Sequence, residues 1–132
     1  MIPDEVEFTV TGTPIPQGSM RAFVRGGRAV VTSDNEKLHE WRARVAAEGD
    51  RAMGVFDAFD CPVKVAAVFT MPRPKKHRFR WPAVRPDSDK LARALLDGLT
   101  GPVLVDDSRV VDLHVVKVYG DTPGVRVHVE AW

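Results

Sequence analysis

The chain has 132 residues, of which 44% are hydrophobic and 28% are charged, and its formal net charge is +1. These values predict one globular domain over residues 1–132 and argue against a globally disordered chain. The single cysteine, Cys61, excludes an internal disulfide framework and predicts a reducing, cytoplasmic compartment. No apolar run approaches the ~20 residues of a membrane span, and the acidic start of the chain is not that of a secretory signal.

The first half of the chain predicts strands followed by a helix. Residues 5–11 alternate between apolar and polar side chains, which predicts a strand, and the Gly- and Pro-rich residues 12–19 predict a loop. Two short runs around Gly26-Gly27 predict a hairpin over 20–32 that carries arginines. Ser33 opens a predicted helix that continues to about residue 52.

The second half predicts a strand, a helix and two more strands. Residues 62–71 predict a strand, and the four prolines within residues 72–86 predict an exposed basic loop. A leucine at every fourth position predicts a core-facing helix over 88–99. Residues 109–119 and 125–131 predict two strands that pair as an antiparallel hairpin. The predicted fold class is therefore α+β, a small mixed or antiparallel sheet with two helices on one face.

Positive charge is concentrated in one segment. Between residues 73 and 93 there are eight basic and two acidic residues, a net charge of +6, which leaves −5 for the remainder of the chain. The basic residues are Arg73, Lys75, Lys76, Arg78, Arg80, Arg85, Lys90 and Arg93. A local cationic field in a nearly neutral protein indicates a site for a polyanion, although a solvated loop without a specific partner has the same composition.

Two carboxylates stand at the start of the second predicted helix. Asp87 and Asp89 would point about 200° apart if both were helical, but they can converge if Asp87 is extended and Asp89 lies in the first turn. A simpler interpretation is that Asp87 or Ser88 caps the helix and that Asp89 interacts with its dipole. The Asp-x-Asp pair alone does not separate these interpretations.

A second acidic pair favours a metal site. Asp106 and Asp107 follow the apolar residues 103–105 and precede a predicted strand, so they can meet the first pair in space. Several carboxylates at one point stay ionised only with a cation between them, and such hard oxygen ligands suit Mg²⁺ or Mn²⁺. Acidic ligands inside a basic surround are expected for phosphodiester cleavage. The sequence contains no phosphate-cradling glycine loop, so neither nucleotide hydrolysis nor a nucleotide cofactor is expected, and it contains no zinc-ligand set, so zinc catalysis is not expected.

Residues 85–117, RPDSDKLARALLDGLTGPVLVDDSRVVDLHVVK, resemble the signature of the RusA family of Holliday junction resolvases. In that family an Asp-x-Asp at a helix start, an Asp-Ala/Gly-Leu turn and an Asp-Asp followed by a Val-Val strand recur in this order. The resemblance extends more loosely to the Gly-x-Pro-x-Pro-x-Gly loop at residues 12–18 and to the helix after Ser33.

The resemblance implies a small homodimer of bacterial or phage origin that cuts opposed strands of a four-way DNA junction with Mg²⁺. Asp87 and Asp89 match two family metal ligands, Asp107 matches the third, and Asp106 matches its less critical neighbour. The family lysine on the helix is replaced here by Arg93, so Lys90 and Arg93 are interpreted as phosphate contacts or charge stabilisers. The dimer also follows from symmetry, because two symmetric cuts require two acidic clusters and the chain has one.

Two other functions are consistent with the same residues. A non-catalytic module that binds branched DNA would use the acidic residues only for capping and solubility. A nuclease of the same fold could instead prefer a flap or a fork to a four-way junction. Metal binding separates the first alternative, and competition among branched substrates separates the second.

Overall fold

The computed structural model describes residues 1–18, 23–25, 28–30 and 34–132. Within these ranges the elements are, in order, β1 (Glu5–Thr11), β2 (Phe23–Arg25), β3 (Arg28–Val30), α1 (Asp34–Met53), β4 (Val63–Pro72), α2 (Ser88–Leu99), β5 (Val110–Gly120) and β6 (Gly124–Ala131). A short 3₁₀ helix, Asp107–Arg109, leads into β5. The predicted α+β class is confirmed. The predicted turn at Gly26-Gly27 and the predicted helix start at Ser33 lie outside the described residues.

The main sheet has four strands in the order β1-β6-β4-β5 and is mixed. β6 pairs antiparallel with both β1 and β4, whereas β4 and β5 are parallel. β2 and β3 form a separate antiparallel pair, as the sequence predicts. Because β4 and β5 are adjacent and parallel, the basic loop, α2 and the 3₁₀ helix all belong to one crossover connection between them.

The core lies on one face of this sheet. In β4, alternate side chains from Val63 to Met71 are buried, which is the period of a strand covered on one side. Leu91, Leu95 and Leu99 of α2 are fully buried in the same core, together with the apolar face of α1. Both helices therefore pack on one face, as predicted. None of the described helices is long and apolar enough to cross a membrane.

The last two strands do not pair with each other, so the predicted antiparallel hairpin over residues 109–131 is wrong. β6 lies between β1 and β4, and β5 lies on the other side of β4. Glycines at both ends of the connection allow the close approaches that this arrangement needs. A Cβ on Gly120 would lie 2.5 Å from Cγ2 of Thr70, and a Cβ on Gly124 would collide with the carbonyl oxygen of Val10. The glycine-bounded connection can therefore cross the end of β4 instead of turning back beside β5.

Candidate active site

Asp87 is the N-cap residue of α2, and its carboxylate is not used for capping. Its backbone is extended, with φ −71° and ψ 145°, while Asp89 lies in the first helical turn, which is the arrangement that allows the two side chains to converge. An N-cap aspartate usually accepts a hydrogen bond from an N–H of the first turn. The side chain of Asp87 makes no cap hydrogen bond. Capping thus does not account for this exposed carboxylate, and it is available to a ligand.

In the second acidic pair, Asp106 caps the 3₁₀ helix, whereas the side chain of Asp107 has no capping role. Asp106 is the N-cap residue of the 3₁₀ helix, and its Oδ2 accepts a hydrogen bond from the N–H of Ser108 at 3.0 Å. The side chain of Ser108, and then its backbone N–H, lower the pKa of the Asp106 carboxyl. Asp107 opens the 3₁₀ helix and is exposed. Capping therefore occupies Asp106 and leaves Asp107 as the ligand candidate of the pair.

The elements that carry the two pairs are in contact. After α2 the chain reverses, and the N–H of Gly101 donates to the carbonyl oxygen of Leu104 at 2.8 Å. The returning segment leads into the 3₁₀ helix, which packs against α2. Within the described ranges, no three His, Cys, Asp or Glu side chains form a ready-made group for a metal ion. The convergence of Asp87, Asp89 and Asp107 on one ion therefore stays a prediction. All three are exposed, so packing does not fix their rotamers.

Lys117 holds the segment in front of Asp87, a role that the sequence did not reveal. This half-buried lysine lies on β5, and its Nζ donates hydrogen bonds to the carbonyl oxygens of Val84 and Pro86, both at 2.9 Å. Lys117 and Pro86 are 31 positions apart in the sequence, so no local pattern predicts this contact. The only signal was the position of this lysine as the last residue of the RusA-like segment.

The loop after β1 is fixed to the first turn of α2. The backbone N–H of Gln17 donates to the carbonyl oxygen of Lys90 at 3.0 Å. Lys90 is half-buried beside this loop, whereas Arg93 is exposed one turn further along α2 from Asp89. Arg93 therefore lies on the same side of the helix as Asp89, in a position to meet a phosphate held there.

The basic loop, defined as residues 73–86, presents its cations to solvent. Arg73 lies 3.9 Å from Asp121, an ion pair between exposed side chains that contributes little. The other basic residues of the loop are exposed, and none forms an ion pair within the described part of the chain: Lys75, Lys76, Arg78, Arg80 and Arg85. This surface beside α2 is therefore strongly positive, as the charge distribution predicts. The sequence also suggested the arginines of the predicted hairpin as contacts for DNA. Arg21 lies outside the described residues, Arg25 ends β2 and Arg28 begins β3.

Two aromatic residues of the basic loop keep about half of their surface exposed. Phe79 is 43% exposed and Trp81 is 55% exposed, with the guanidinium of Arg78 over the Phe79 ring. Pro82 is buried, and the His77 ring lies 5.3 Å from that of Tyr119 on β5, so these contacts hold the loop near β5. The exposed rings are available for stacking against bases.

Comparison with known proteins agrees with this arrangement. The family model described as "Endodeoxyribonuclease RusA" matches residues 11–130 of the chain. The chain is also 28% identical over 134 residues to the uncharacterized protein YqaN of Bacillus subtilis (strain 168), with 94% of each chain covered. The family match includes both acidic pairs, the basic loop and Lys117. The chain therefore belongs to the RusA family of endodeoxyribonucleases.

Proposed function

We propose that this protein is a Mg²⁺-dependent endodeoxyribonuclease that resolves four-way DNA junctions by paired symmetric cuts. The observation that carries the proposal is that Asp87 at an N-cap makes no cap hydrogen bond, although Asp106 at the next N-cap does. The free carboxylates stand at the starts of two elements in contact, beside a strongly positive loop. Membership of the RusA family supports the same activity.

Asp87, Asp89 and Asp107 are the residues that would hold Mg²⁺, with Mn²⁺ as a substitute. Their exposed carboxylate oxygens are the hard ligands that these ions prefer. Three carboxylates would fill only part of the coordination shell of the ion, so water and a phosphate oxygen could take the remaining positions. A bound divalent ion lowers the pKa of a water molecule and offsets the charge on the departing oxygen.

The remaining residues of the site position the DNA. The basic loop neutralises backbone phosphates on both sides of the crossover, which supplies affinity that does not depend on sequence. Lys90 and Arg93 lie on α2 next to the carboxylates, where they hold the cleaved phosphate and stabilise the negative charge that develops on it. Arginine stays protonated at neutral pH, so Arg93 acts by charge and hydrogen bonding rather than by proton transfer.

A two-fold homodimer completes the proposed activity. A four-way junction is nearly two-fold symmetric, and each chain carries one candidate set of carboxylates, so paired cuts require two chains related by a two-fold axis. Sedimentation of the protein alone and on a junction tests this point. A mass of two chains at micromolar concentration is expected, and a monomer in both samples would contradict the dimer.

The decisive experiment is cleavage of a synthetic four-way junction, with a flap and a fork of the same arm sequences as competitors. Wild-type protein with Mg²⁺ is expected to cut opposed strands of the four-way junction, and Asp87→Asn is expected to lose cutting while it retains binding. Asp106→Asn is the matched control, because its amide oxygen can still accept the Ser108 hydrogen bond. It is expected to stay within a few-fold of wild type.

Each other outcome identifies an alternative. Full activity of Asp87→Asn in Mg²⁺ would refute the assignment of the site. Tight junction binding without cleavage, and without calorimetric binding of Mg²⁺ or Mn²⁺, would indicate a non-catalytic module. Preferential cutting of the flap or the fork would indicate a nuclease with another branched target.

A further inference from the structure

A cavity of about 720 Å³ opens next to the candidate metal ligands. It lies between the Gly-Pro loop after β1, the end of β4 and the segment that leads into α2. Asp87 and Lys90 belong both to its wall and to the candidate active site. Its volume is in the range of sites that bind small organic groups, about 300–1,000 Å³. Anything that fills this cavity lies next to the phosphate that the carboxylates would process.

The wall of the cavity is suited to a flat ring. Proline rings from three segments, among them Pro16, Pro74 and Pro86, line it together with Tyr119. The phenol ring of Tyr119 is held by its contact with His77, 5.3 Å between ring centroids. Rigid apolar and aromatic surfaces of this kind are what proteins use to sandwich a nucleobase. A phosphate or a metal ion would gain nothing from them.

One polar group inside this wall lacks a partner. Gln17 lines the cavity, and its Oε1 is covered within the wall with no hydrogen-bond partner among the described residues, so this oxygen would gain a partner by turning toward a bound base. The backbone of Gln17 is held beside the first turn of α2 by its hydrogen bond to Lys90, so this side chain starts from a defined place next to the candidate metal ligands. A side-chain amide presents an acceptor and two donors in one plane, which matches the hydrogen-bonding edge of a base. Arg85 and Lys90 add positive charge for the phosphate attached to that base.

We propose that this cavity takes one nucleobase of the DNA strand, turned out of the stack next to the cleaved phosphate, and that Gln17 is the residue that distinguishes among bases there. The inference rests on the proposed function, because it places the cleaved phosphate at Asp87. Turning a base out of the stack costs least where the base is not held in a continuous duplex, so an opened crossover is the place where this step is easiest. The enzyme would thus combine recognition of branch shape by the basic loop with recognition of one base by the cavity.

The test reads the base directly and does not depend on cutting. The fluorescent base 2-aminopurine is placed, one position at a time, in the nucleotides flanking the crossover of a four-way junction. The protein carries Asp107→Asn, which lies outside the cavity wall, so that the DNA stays intact. An increase in fluorescence on binding is expected at one position, and it should be lost when Gln17→Leu is added. Thr9→Val on β1 is the control for removal of an exposed polar group outside the cavity and should leave the increase unchanged.

A second measurement compares cleavage of junctions that differ only in the base at that position. Wild type is expected to discriminate among the four bases by about fivefold or more, and Gln17→Leu to discriminate less, since one good base contact accounts for such a ratio. Circular dichroism melting checks that the variant is folded.

The inference is overturned if no position responds in bound junctions, or if folded Gln17→Leu keeps both the fluorescence increase and the base preference. It is also overturned if free deoxynucleoside monophosphates fill the cavity at micromolar concentration while junction bases give no response. A wild-type protein that binds junctions and moves the base but does not cut would contradict the proposed activity alone.

Discussion

Lys117 and Pro86 are joined by a hydrogen bond of 2.9 Å between Nζ and the carbonyl oxygen, and Pro86 is the residue directly before Asp87. The same ammonium group also binds the carbonyl oxygen of Val84. β5 thereby fixes the backbone that carries the first candidate metal ligand. Hydrogen bonds from a charged donor contribute about 1.5–3 kcal/mol, more than neutral ones. Lys117 is therefore placed to position Asp87 in the candidate active site.

Replacing Lys117 by methionine should slow cleavage more than it weakens DNA binding. Lys117→Met keeps most of the apolar stem but removes both hydrogen bonds, so the segment before Asp87 loses its support. We expect the rate of junction cleavage to fall about 10- to 100-fold, the range produced by small misplacement of a reacting group. We also expect the Mg²⁺ concentration for half-maximal rate to rise. Single-turnover cleavage and Mg²⁺ titration measure the two effects.

Lys117→Arg is the matched control, since it retains a charged donor and should recover part of the rate. Thermal unfolding of both variants separates local misplacement from loss of the fold. An unchanged Mg²⁺ dependence in a well-folded Lys117→Met protein would remove the positioning role.

Neutralising the tip of the basic loop should weaken junction binding without changing sequence preference. Lys75 and Lys76 are exposed and form no ion pair within the described chain, so their charges are available to phosphates. For each lysine changed to glutamine, the slope of log binding constant against log salt should decrease in magnitude by about 0.9 if it contacts one phosphate. Fluorescence anisotropy between low and moderate salt gives the slope. Lys64→Gln on the opposite face of the sheet should leave it unchanged, and equal effects at all three positions would point to net charge alone.

Gly98 of α2 should tolerate no side chain, because α1 approaches it closely. A Cβ at this position would lie 2.8 Å from Cγ1 of Val45 and 3.1 Å from the carbonyl oxygen of Arg42. Gly98→Ala is expected to lower the free energy of unfolding by about 1–3 kcal/mol through overpacking. Urea unfolding measures this change.

The double variant Gly98→Ala with Val45→Ala tests the cause. If the clash with Val45 is responsible, the double variant should be more stable than the sum of the two single effects predicts. Strict additivity would mean that the contacts left in the double variant, with Cβ of residue 45 at 2.9 Å and the carbonyl oxygen of Arg42 at 3.1 Å, limit the space.

Removing the Ser108 hydroxyl should raise the pKa of Asp106 toward its ordinary value. The pKa of this carboxyl is lowered from 3.8, first by the side chain of Ser108 and then by its backbone N–H. A lowered folded-state pKa means that Asp106 stabilises the folded protein above the unfolded pKa, and that this contribution is lost as the pH falls through the lowered folded value. NMR titration of the carboxyl carbon in wild type and Ser108→Ala follows the shift. Identical midpoints in the two proteins would contradict the assigned cause.

Local sequence patterns predicted α2, which carries the candidate site, but not the hydrogen bonds from Lys117 that hold the segment before α2. The spacing of Leu91, Leu95 and Leu99 predicted α2 with its correct bounds, because a buried helix face repeats every turn. The hydrogen bonds of Lys117 join residues more than 30 positions apart, and no periodicity encodes such a contact. The RusA-like segment contained this lysine without indicating what it does.

The resemblance separated Asp107 from Asp106 as a candidate ligand, whereas the physical reason for that separation required coordinates. Asp87 and Asp106 are both N-cap residues, and whether an N-cap side chain bends back to its helix is not encoded in the residue type. Only the 3₁₀ geometry around Ser108 shows which carboxylate is engaged. The pairing of β5 failed for a similar reason, since the closeness of Gly120 to Thr70 is a tertiary contact and a glycine-bounded turn ordinarily indicates a hairpin.

The parallel alignment of β4 with β5 has a consequence for how chains of this kind can diversify. The stretch from the end of β4 to the first carboxylate leaves the sheet at β4, and Lys117 of the neighbouring strand β5 holds its last residues by hydrogen bonds. Its length and composition can change while the sheet registers and the core stay intact. Exchanging residues 73–85 between relatives should therefore transplant the preference for one branched DNA over another onto an unaltered catalytic frame.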